Sequence, residues 1–371
     1  MQKTALVTGA NGQTGSYLCE LLLGKGYRVL GITRRSSTNT SERLYECLND
    51  INFHLIEGDI TDPYSVNSWF TNYGQIDECY NLAAMSHVGS SFEQPIVAWR
   101  VDAEGVLNVL ESIRRYSKHT KFYQASTSEM FGKNFSHGEA EYTIGKIGGF
   151  KENERPWVDK YQDENTELSG RSPYAIAKIA AHNAVQLYKD SYGLHASCGI
   201  LFNHESPRRT DQFVTKKITK WLGKYLDWAE HNSVCTTTET DYLFGNFGSR
   251  YPKLRLGNLD SFRDWGFAPD YAQAIYMIVQ QEMPDDYVIA TGQTHSIREF
   301  LTEAFEYAGL GDWSKYVVQD KAFIRPAEVD YLCGRANKAK KVLGWEPKTT
   351  FKDLVKIMVD YDKAQAKTSS T

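Results

Sequence analysis

Tyr174 and Lys178 stand four residues apart in Tyr174-Ala175-Ile176-Ala177-Lys178, a phenol and an ammonium that share one face if the segment is helical. On such a face the positive charge lowers the phenol's pKa and turns it into a general base. Spacing alone says little, because 23 tyrosines in 371 residues make a Tyr-x-x-x-Lys expected from composition. Tyr142 and Lys146 form a second instance, in Gly-rich surroundings that suit no helix. The setting singles out the first: Arg171-Ser172-Pro173 precedes it, with Pro placed for a first helical turn, and an Ala-rich stretch follows. A second reactive group, Thr127, Ser128 and Glu129, closes an apolar run. On an extended chain Thr127 and Glu129, two apart, project to the same side. The Thr127 hydroxyl can orient a substrate hydroxyl that Tyr174 deprotonates, and Glu129 adds an acid/base group beside the same carbon framework. Oxidation alone needs only hydroxyl, phenol and ammonium, so the additional carboxylate argues for a second proton abstraction with elimination. Its structural alternative is a capping or salt-bridged residue.

These side chains need a scaffold that brings strand ends together. Short β-branched or apolar runs at 4–8, 28–32, 53–56, 78–83, 121–126 and 196–202 alternate with helical patterns at 15–25, 63–72, 96–116 and 173–192. That alternation reads as α/β, a Rossmann-like doubly wound parallel sheet. The first strand runs into Gly9-Ala10-Asn11-Gly12-Gln13-Thr14-Gly15, where glycines permit a tight turn and let backbone N–H groups approach a pyrophosphate. The second ends in Arg34-Arg35-Ser36-Ser37, where an NAD site would carry a carboxylate for the ribose. Two arginines and two hydroxyls suit a 2′-phosphate instead, so NADP is the expected cofactor. Asp59 and Ile60 follow the third strand, with Asp59 placed to accept from an adenine amino group. Leu82, Ala83, Ala84 and Ser86 follow the fourth, where small residues let a cofactor pass closely.

Beyond about residue 203 the alternation weakens into longer loops, amphipathic helices at 211–228, 270–282, 297–308 and 351–362, and one short run at 287–290. The expected organisation is a cofactor domain over 1–202, a smaller α/β substrate-binding cap over 203–366 interleaved with it at the C-terminal end, and a polar tail at 367–371 that frays. Two polar stretches, 132–170 and about 229–252, are long enough to be lids, subunit arms, disordered loops or tolerated surface insertions.

With 42 Lys+Arg against 46 Asp+Glu, the chain carries no basic excess for nucleic acid or an anionic membrane surface. No run of 18 apolar residues exists, and no signal-peptide pattern opens the chain. The six cysteines form no Cys-x-x-Cys pair and no Cys/His cluster at metal spacing, so no metal is expected, and a reducing, cytoplasmic compartment is. Eight Trp beside the tyrosines suit either an aromatic-rich core or a site that stacks bases or sugars.

The spaced-glycine turn with Tyr174 and Lys178 resembles the extended short-chain dehydrogenases/reductases, and within them the GDP-mannose 4,6-dehydratase family. Matching segments are 12–18, 34–37, 80–88, 122–129, 199–209, 256–260, 263–266, 325–329 and 343–345, so the likeness spans nearly the whole chain. The string Asn203-His204-Glu205-Ser206-Pro207-Arg208-Arg209 is far more specific than any glycine motif. The resemblance implies a lyase that oxidises GDP-mannose at C4, eliminates water across C5 and C6, and returns hydride to C6. Tyr174, Lys178, Thr127, Ser128 and Glu129 would be its catalytic set. It further implies cofactor contacts at Tyr174, Lys178, His204 and Arg209, and nucleotide-sugar contacts at Ser86, Glu129, Asn203, Lys217, Arg263, Arg325 and Glu328. The 34–43 segment resembles a loop that reaches a neighbouring subunit's cofactor, which implies a homodimer or homotetramer. Thr14 replaces the family's Asp in the glycine turn, and Phe267 stands where relatives carry His. Phe267 and the two insertions, one of which lengthens the gap from Glu129 to Tyr174 to 45 positions, leave other nucleotide-sugars open as substrates. An epimerase or reductase on this fold needs no carboxylate at the Glu129 position, and an NADP-sensing protein has no reason to keep the whole set.

Overall fold

Apolar runs without polar alternation need cover on both faces. The computed structural model, which describes residues 2–36, 41–137, 160–233, 251–323 and 327–369, places them in one parallel sheet of seven strands. In chain order these are β1 (Thr4–Thr8), β2 (Arg28–Thr33), β3 (Phe53–Glu57), β4 (Glu78–Asn81), β5 (Lys121–Thr127), β6 (Ala196–Leu201) and β7 (Tyr287–Ile289). Their spatial order is β7-β6-β5-β4-β1-β2-β3, so the winding reverses between β1 and β4. Such a switch point opens a crevice at the carboxyl ends of the strands. The register aligns Thr8 with Asn81 and Asn81 with Gln124, which sets a row of polar side chains along that edge.

The chain divides into two compact units: 1–204 with 264–294 and 332–348, and 205–263 with 295–331 and 349–371. In the first unit, alternate strand residues face opposite cores. Ala5, Val7, Val29 and Tyr123 pack with Leu18 and Leu22 of α1 (Gln13–Gly24), and with Ile275 and Ile278 of a helix at Ala268–Gln280. Leu6, Leu30, Cys79 and Phe122 pack with Val66 and Trp69 of α2 (Pro63–Asn72), with Val109 and Ile113 of α3 (Gly105–Tyr116), and with Val185 of α4 (Pro173–Tyr192). Each Val, Leu, Ile or Phe among them contributes about 1.5–3 kcal/mol on leaving water.

The expected helix over 96–116 is broken by a π turn: helix Pro95–Trp99, π turn Arg100–Glu104, then α3. The fourth strand stops at Asn81, short of the expected 83, because the Leu82 and Ala83 N–H groups both turn onto Thr8 Oγ1 at 3.1 Å. Part of the first polar insertion is ordered, as Ser136–His137 pairs antiparallel with Lys160–Tyr161.

The second unit is built on α5 (Val214–Ser233), α6 (Ile297–Tyr307) and α7 (Phe351–Ser369). The first runs past its expected end at 228 into the second insertion. The last continues to Ser369, so residues 367–369 are helical rather than frayed, and Lys367 ion-pairs with Glu230 at 2.8 Å. The α5–α7 crossing is close enough that a Cβ on Gly223 would lie 2.4 Å from Asp362 O. Trp221, Tyr225, Trp228, Tyr251, Phe305 and Tyr316 form one aromatic cluster, so here the aromatic-rich composition serves packing. Leu254–Leu256 pairs parallel with Val317–Gln319. Among the described residues, no helix is long and apolar enough to cross a membrane. The second Tyr-x-x-x-Lys, at Tyr142 and Lys146, lies outside the described residues.

Candidate active site

The glycine turn is built from backbone alone. Gly9 adopts φ +67°, and a Cβ there would sit 2.9 Å from Ala83 N. A Cβ on Gly15 would fall 2.2 Å from Gly9 O, and one on Gly12 3.1 Å from the same oxygen. No side chain caps α1 at Gly12, and its first turn holds no acidic residue. Uncapped N–H groups with the positive end of a helix dipole fit an anionic phosphate ester, so the cradle suits the pyrophosphate of a dinucleotide.

Side chains knit the turn to its neighbours. Thr14 Oγ1 lies 2.7 Å from His204 Nε2, and His204 Nδ1 lies 2.9 Å from Phe202 O. A carbonyl can only accept, so Nδ1 carries the proton. Gln13 Nε2 donates to His204 O at 2.9 Å, and the imidazole stacks on Tyr271. The Thr14 departure is therefore a side-chain contact as well as a backbone position. Arg43 reaches Asn11 O of its own chain at 3.3 Å.

At the strand ends, Thr8 Oγ1 bonds Asn81 Oδ1 at 2.5 Å, Asn81 Nδ2 donates to Gln124 Oε1 at 2.8 Å, and Gln124 Nε2 donates to Ala125 O at 3.0 Å. The same Ala125 carbonyl accepts from Lys178 Nζ at 3.1 Å. This bond ties α4 to the end of β5, two residues from Thr127. Ser172 caps α4 through Ala175 N at 3.1 Å, and Pro173 opens the first turn, which places buried Tyr174 one turn before Lys178. Lys178 is 2% exposed. Burial pushes its pKa down, against the opposing pull of Asp102, whose Oδ1 is 3.8 Å away.

Thr127 ends β5 as expected, but Glu129 is not on an extended chain. Residues Ser128–Phe131 form a 3₁₀ turn, and Thr127 caps it by accepting from Glu129 N at 3.3 Å. The two side chains are thus related by a capped turn rather than by strand alternation, and Glu129 is half-buried. Ser128 is buried in the turn.

The other expected residues fall into different settings. Arg34, Arg35 and Ser36 are exposed just past β2; Ser37 and Arg325 lie outside the described residues. Asp59 Oδ1 accepts from Thr61 N and Oγ1 at 2.9 and 2.8 Å, and Ile60 is buried against Gly105. Ala83 and Ala84 are half-buried beside Leu82, with Ser86 exposed. Asn203 Oδ1 is buried with no hydrogen-bond partner among the described residues. In the second unit, Arg209 pairs with buried Glu205 at 3.0 Å and lies over the Phe213 ring. Arg263 Nη2 donates to Glu328 Oε1 at 3.0 Å. Lys217 Nζ sits 4.5 Å from the centre of the Phe323 ring, and burial lowers its pKa.

Sequence reasoning missed Asp102, Asn81 and Gln124, polar residues inside runs that read as helix or strand. It also found no metal-type cluster, yet the fold brings His182, Cys198 and Asp286 within 4.8 Å of one another. Their groups are engaged by hydrogen bonds: Ser126 Oγ with His182 Nδ1 at 3.1 Å, and Gln186 Nε2 and Cys198 N with Asp286 at 2.5 and 2.8 Å.

Comparison with known proteins matches this geometry. Residues 5–290 fit the NAD dependent epimerase/dehydratase family, and residues 245–358 fit the GDP-mannose 4,6 dehydratase model. The chain is 43% identical over 376 residues to GDP-mannose 4,6 dehydratase 1 of Arabidopsis thaliana, covering 99% of this chain and 91% of that one. It is 40% identical over 398 residues to GDP-mannose 4,6-dehydratase of Vibrio cholerae, covering 98% and 95%. UDP-glucose 4-epimerase of Thermotoga maritima shares the fold with a TM-score of 0.75 at 22% identity, covering 98% of this chain and 99% of that one. A dTDP-glucose 4,6-dehydratase from Streptomyces venezuelae, solved with NAD, does so at 0.75 and 20%, covering 97% of each. This chain belongs to the NAD dependent epimerase/dehydratase family and, within it, to the GDP-mannose 4,6-dehydratases.

Proposed function

We propose that this enzyme, a nucleotide-sugar 4,6-dehydratase, converts GDP-mannose to GDP-4-keto-6-deoxymannose with NADP as its recycled cofactor. The observation that carries the reading is Glu129, a carboxylate in the turn that leaves β5 beside Thr127, added to the Tyr174 and Lys178 pair on α4. Tyr174 takes the C4 hydroxyl proton, Lys178 keeps the phenol acidic, and Thr127 holds the substrate oxygen. A nicotinamide cofactor held by the glycine turn at 9–15 would supply the hydride chemistry between C4 and C6. Once C4 is a ketone, C5–H is acidic, and Glu129 removes that proton and gives one to the departing C6 hydroxyl. Ser128 is the further member of this set, and Ser86 a substrate contact.

NADP is preferred because Arg34, Arg35 and Ser36 stand exposed at the end of β2, with Ser37 next in sequence, where a 2′-phosphate would bind. His204 and Arg209 are assigned to the cofactor, and Asn203, Lys217, Arg263, Arg325 and Glu328 to the guanosine diphosphate. A homo-oligomer is supported by exposed apolar side chains on helices that pack together: Ile96 and Trp99 before the π turn, Leu107 on α3, and Ile176 and Leu187 on α4. Among the described residues, Cys19, Cys47, Cys79, Cys198 and Cys333 are free thiols, which suits a reducing, cytoplasmic compartment.

Incubation with NADP⁺ and GDP-mannose tests the reading by mass spectrometry. The expected product is lighter by one water, with no net reduction of nicotinamide. Stoichiometric NADPH accumulation, or turnover of another nucleotide-sugar in preference, would overturn it.

A further inference from the structure

Lys178 carries its ammonium into the interior, where two protein oxygens approach it: Ala125 O at 3.1 Å and Asp102 Oδ1 at 3.8 Å. Asp102 is fully buried. Its Oδ1 accepts from Met85 N at 3.0 Å, and its Oδ2 is buried with no hydrogen-bond partner among the described residues. A half-satisfied carboxylate in the interior is destabilising unless a charge offsets it. A local irregularity delivers it there, since Asp102 is the middle residue of the π turn Arg100–Glu104. Such turns are rare and concentrate at functional sites. Each extra residue in a turn rotates the residues beyond it by about 100° on a 3.6-residue helix, so a regular helix would aim position 102 elsewhere.

The two charges support one another. Burial lowers the proton affinity of Lys178, and Asp102 is the largest influence against it. Burial raises that of Asp102, and Lys178 is the largest influence against it. Among the described residues, Asp102 from the π turn, Cys198 from β6 and Tyr174 on the same helix are the titratable groups beside Lys178. Burial holds Cys198 as the neutral thiol, which leaves Asp102 as the counter-charge.

We infer that Asp102 is a positioning residue for the reaction: delivered by the π turn, its carboxylate keeps the Lys178 ammonium charged and aimed between the Ala125 carbonyl and the Tyr174 phenol. The inference rests on Tyr174 and Lys178 as the acid/base pair, not on the identity of the nucleotide-sugar.

Its test reads the Tyr174 phenol on the full chain with no substrate. The near-ultraviolet phenolate absorbance of wild type, minus that of Tyr174→Phe, is followed against pH and repeated in an Asp102→Asn background. Asn keeps the shape and an acceptor for Met85 N while removing the charge. The Tyr174 midpoint should move up by about one pH unit, a tenfold loss of phenolate. An unchanged midpoint in folded Asp102→Asn protein overturns the proposal. If that variant does not fold, Lys178→Met is added to it: with both charges gone the chain should regain a cooperative thermal transition, and a double variant that also fails to fold overturns the inference. Neither readout uses GDP-mannose, so a failure of the proposed substrate and a failure of this inference are separate results.

Discussion

Two buried Lys–Asp pairs in this chain are made to opposite specifications. In the second unit, Lys216 Nζ meets Asp362 Oδ1 at 2.6 Å and also donates to Pro207 O at 2.9 Å, while Thr219 Oγ1 fills Asp362 Oδ2 at 2.6 Å. Every charged oxygen there has a donor, and the pair ties α5 to α7. In the first unit, Lys178 and Asp102 stand 3.8 Å apart, one carboxylate oxygen is unpartnered among the described residues, and the lysine's firmest bond goes to a carbonyl. A pair that saturates itself holds a fold together. A looser one leaves its charge available to a third group, here the Tyr174 phenol.

Breaking each pair should separate these roles. Lys178→Met is expected to cost about a thousandfold in turnover, the range of a lost acid/base function, with the first unit still folded. Steady-state rates, beside circular dichroism to show that the first unit is folded, check it, and a loss below tenfold would remove Lys178 from the chemistry. Glu129→Gln comes next, about a hundredfold down in water loss. Here mass spectrometry should find GDP-mannose oxidised at C4 in some molecules but not dehydrated; full dehydration would sink the role of Glu129. Lys216→Met should show the reverse pattern: turnover per folded molecule near wild type, but unfolding free energy lower by about 3 kcal/mol in a urea titration, because Asp362 keeps its buried charge without its cation.

The contrast also explains what could be read from the chain before its fold. Strand and helix spans for the sheet were legible because apolar runs and glycine turns are local signals, and Tyr174 was legible because Ser172-Pro173 marks a helix start within a few residues. Asp102 was hidden. An acidic residue inside an amphipathic pattern reads as solvated, and only a π turn, which leaves no local signature, turns it inward. The Glu129 geometry failed for a related reason: Thr127 caps the next turn and ends the extended chain sooner than alternation implies. The row of Thr8, Asn81 and Gln124 depends on register between strands more than forty residues apart, which no local pattern encodes. The short strands beyond residue 203 pair non-locally in the same way.

Asp264 sharpens the comparison with a third buried carboxylate, one served by uncharged donors alone. Thr291 N and Oγ1 approach Oδ1 at 2.9 and 2.6 Å, and Gly292 N and Gly334 N approach Oδ2 at 3.0 and 3.2 Å. These bonds close two loops onto one side chain, yet burial outweighs them and the pKa is pushed up from its ordinary 3.8 to about 6. The sign comes from linkage. A carboxyl that holds its proton more tightly when folded contributes fully below about pH 4, and the contribution is lost as pH rises through about 6. Asp264→Asn lacks that titration. Its stability gap from wild type, measured by urea unfolding, should be widest near pH 4 and shrink by about 2 kcal/mol by pH 7. A gap that stays constant across that window would mean that dipoles alone keep the carboxylate ionised, and the distinction between charge-paired and dipole-held carboxylates drawn from the two lysine pairs would not hold.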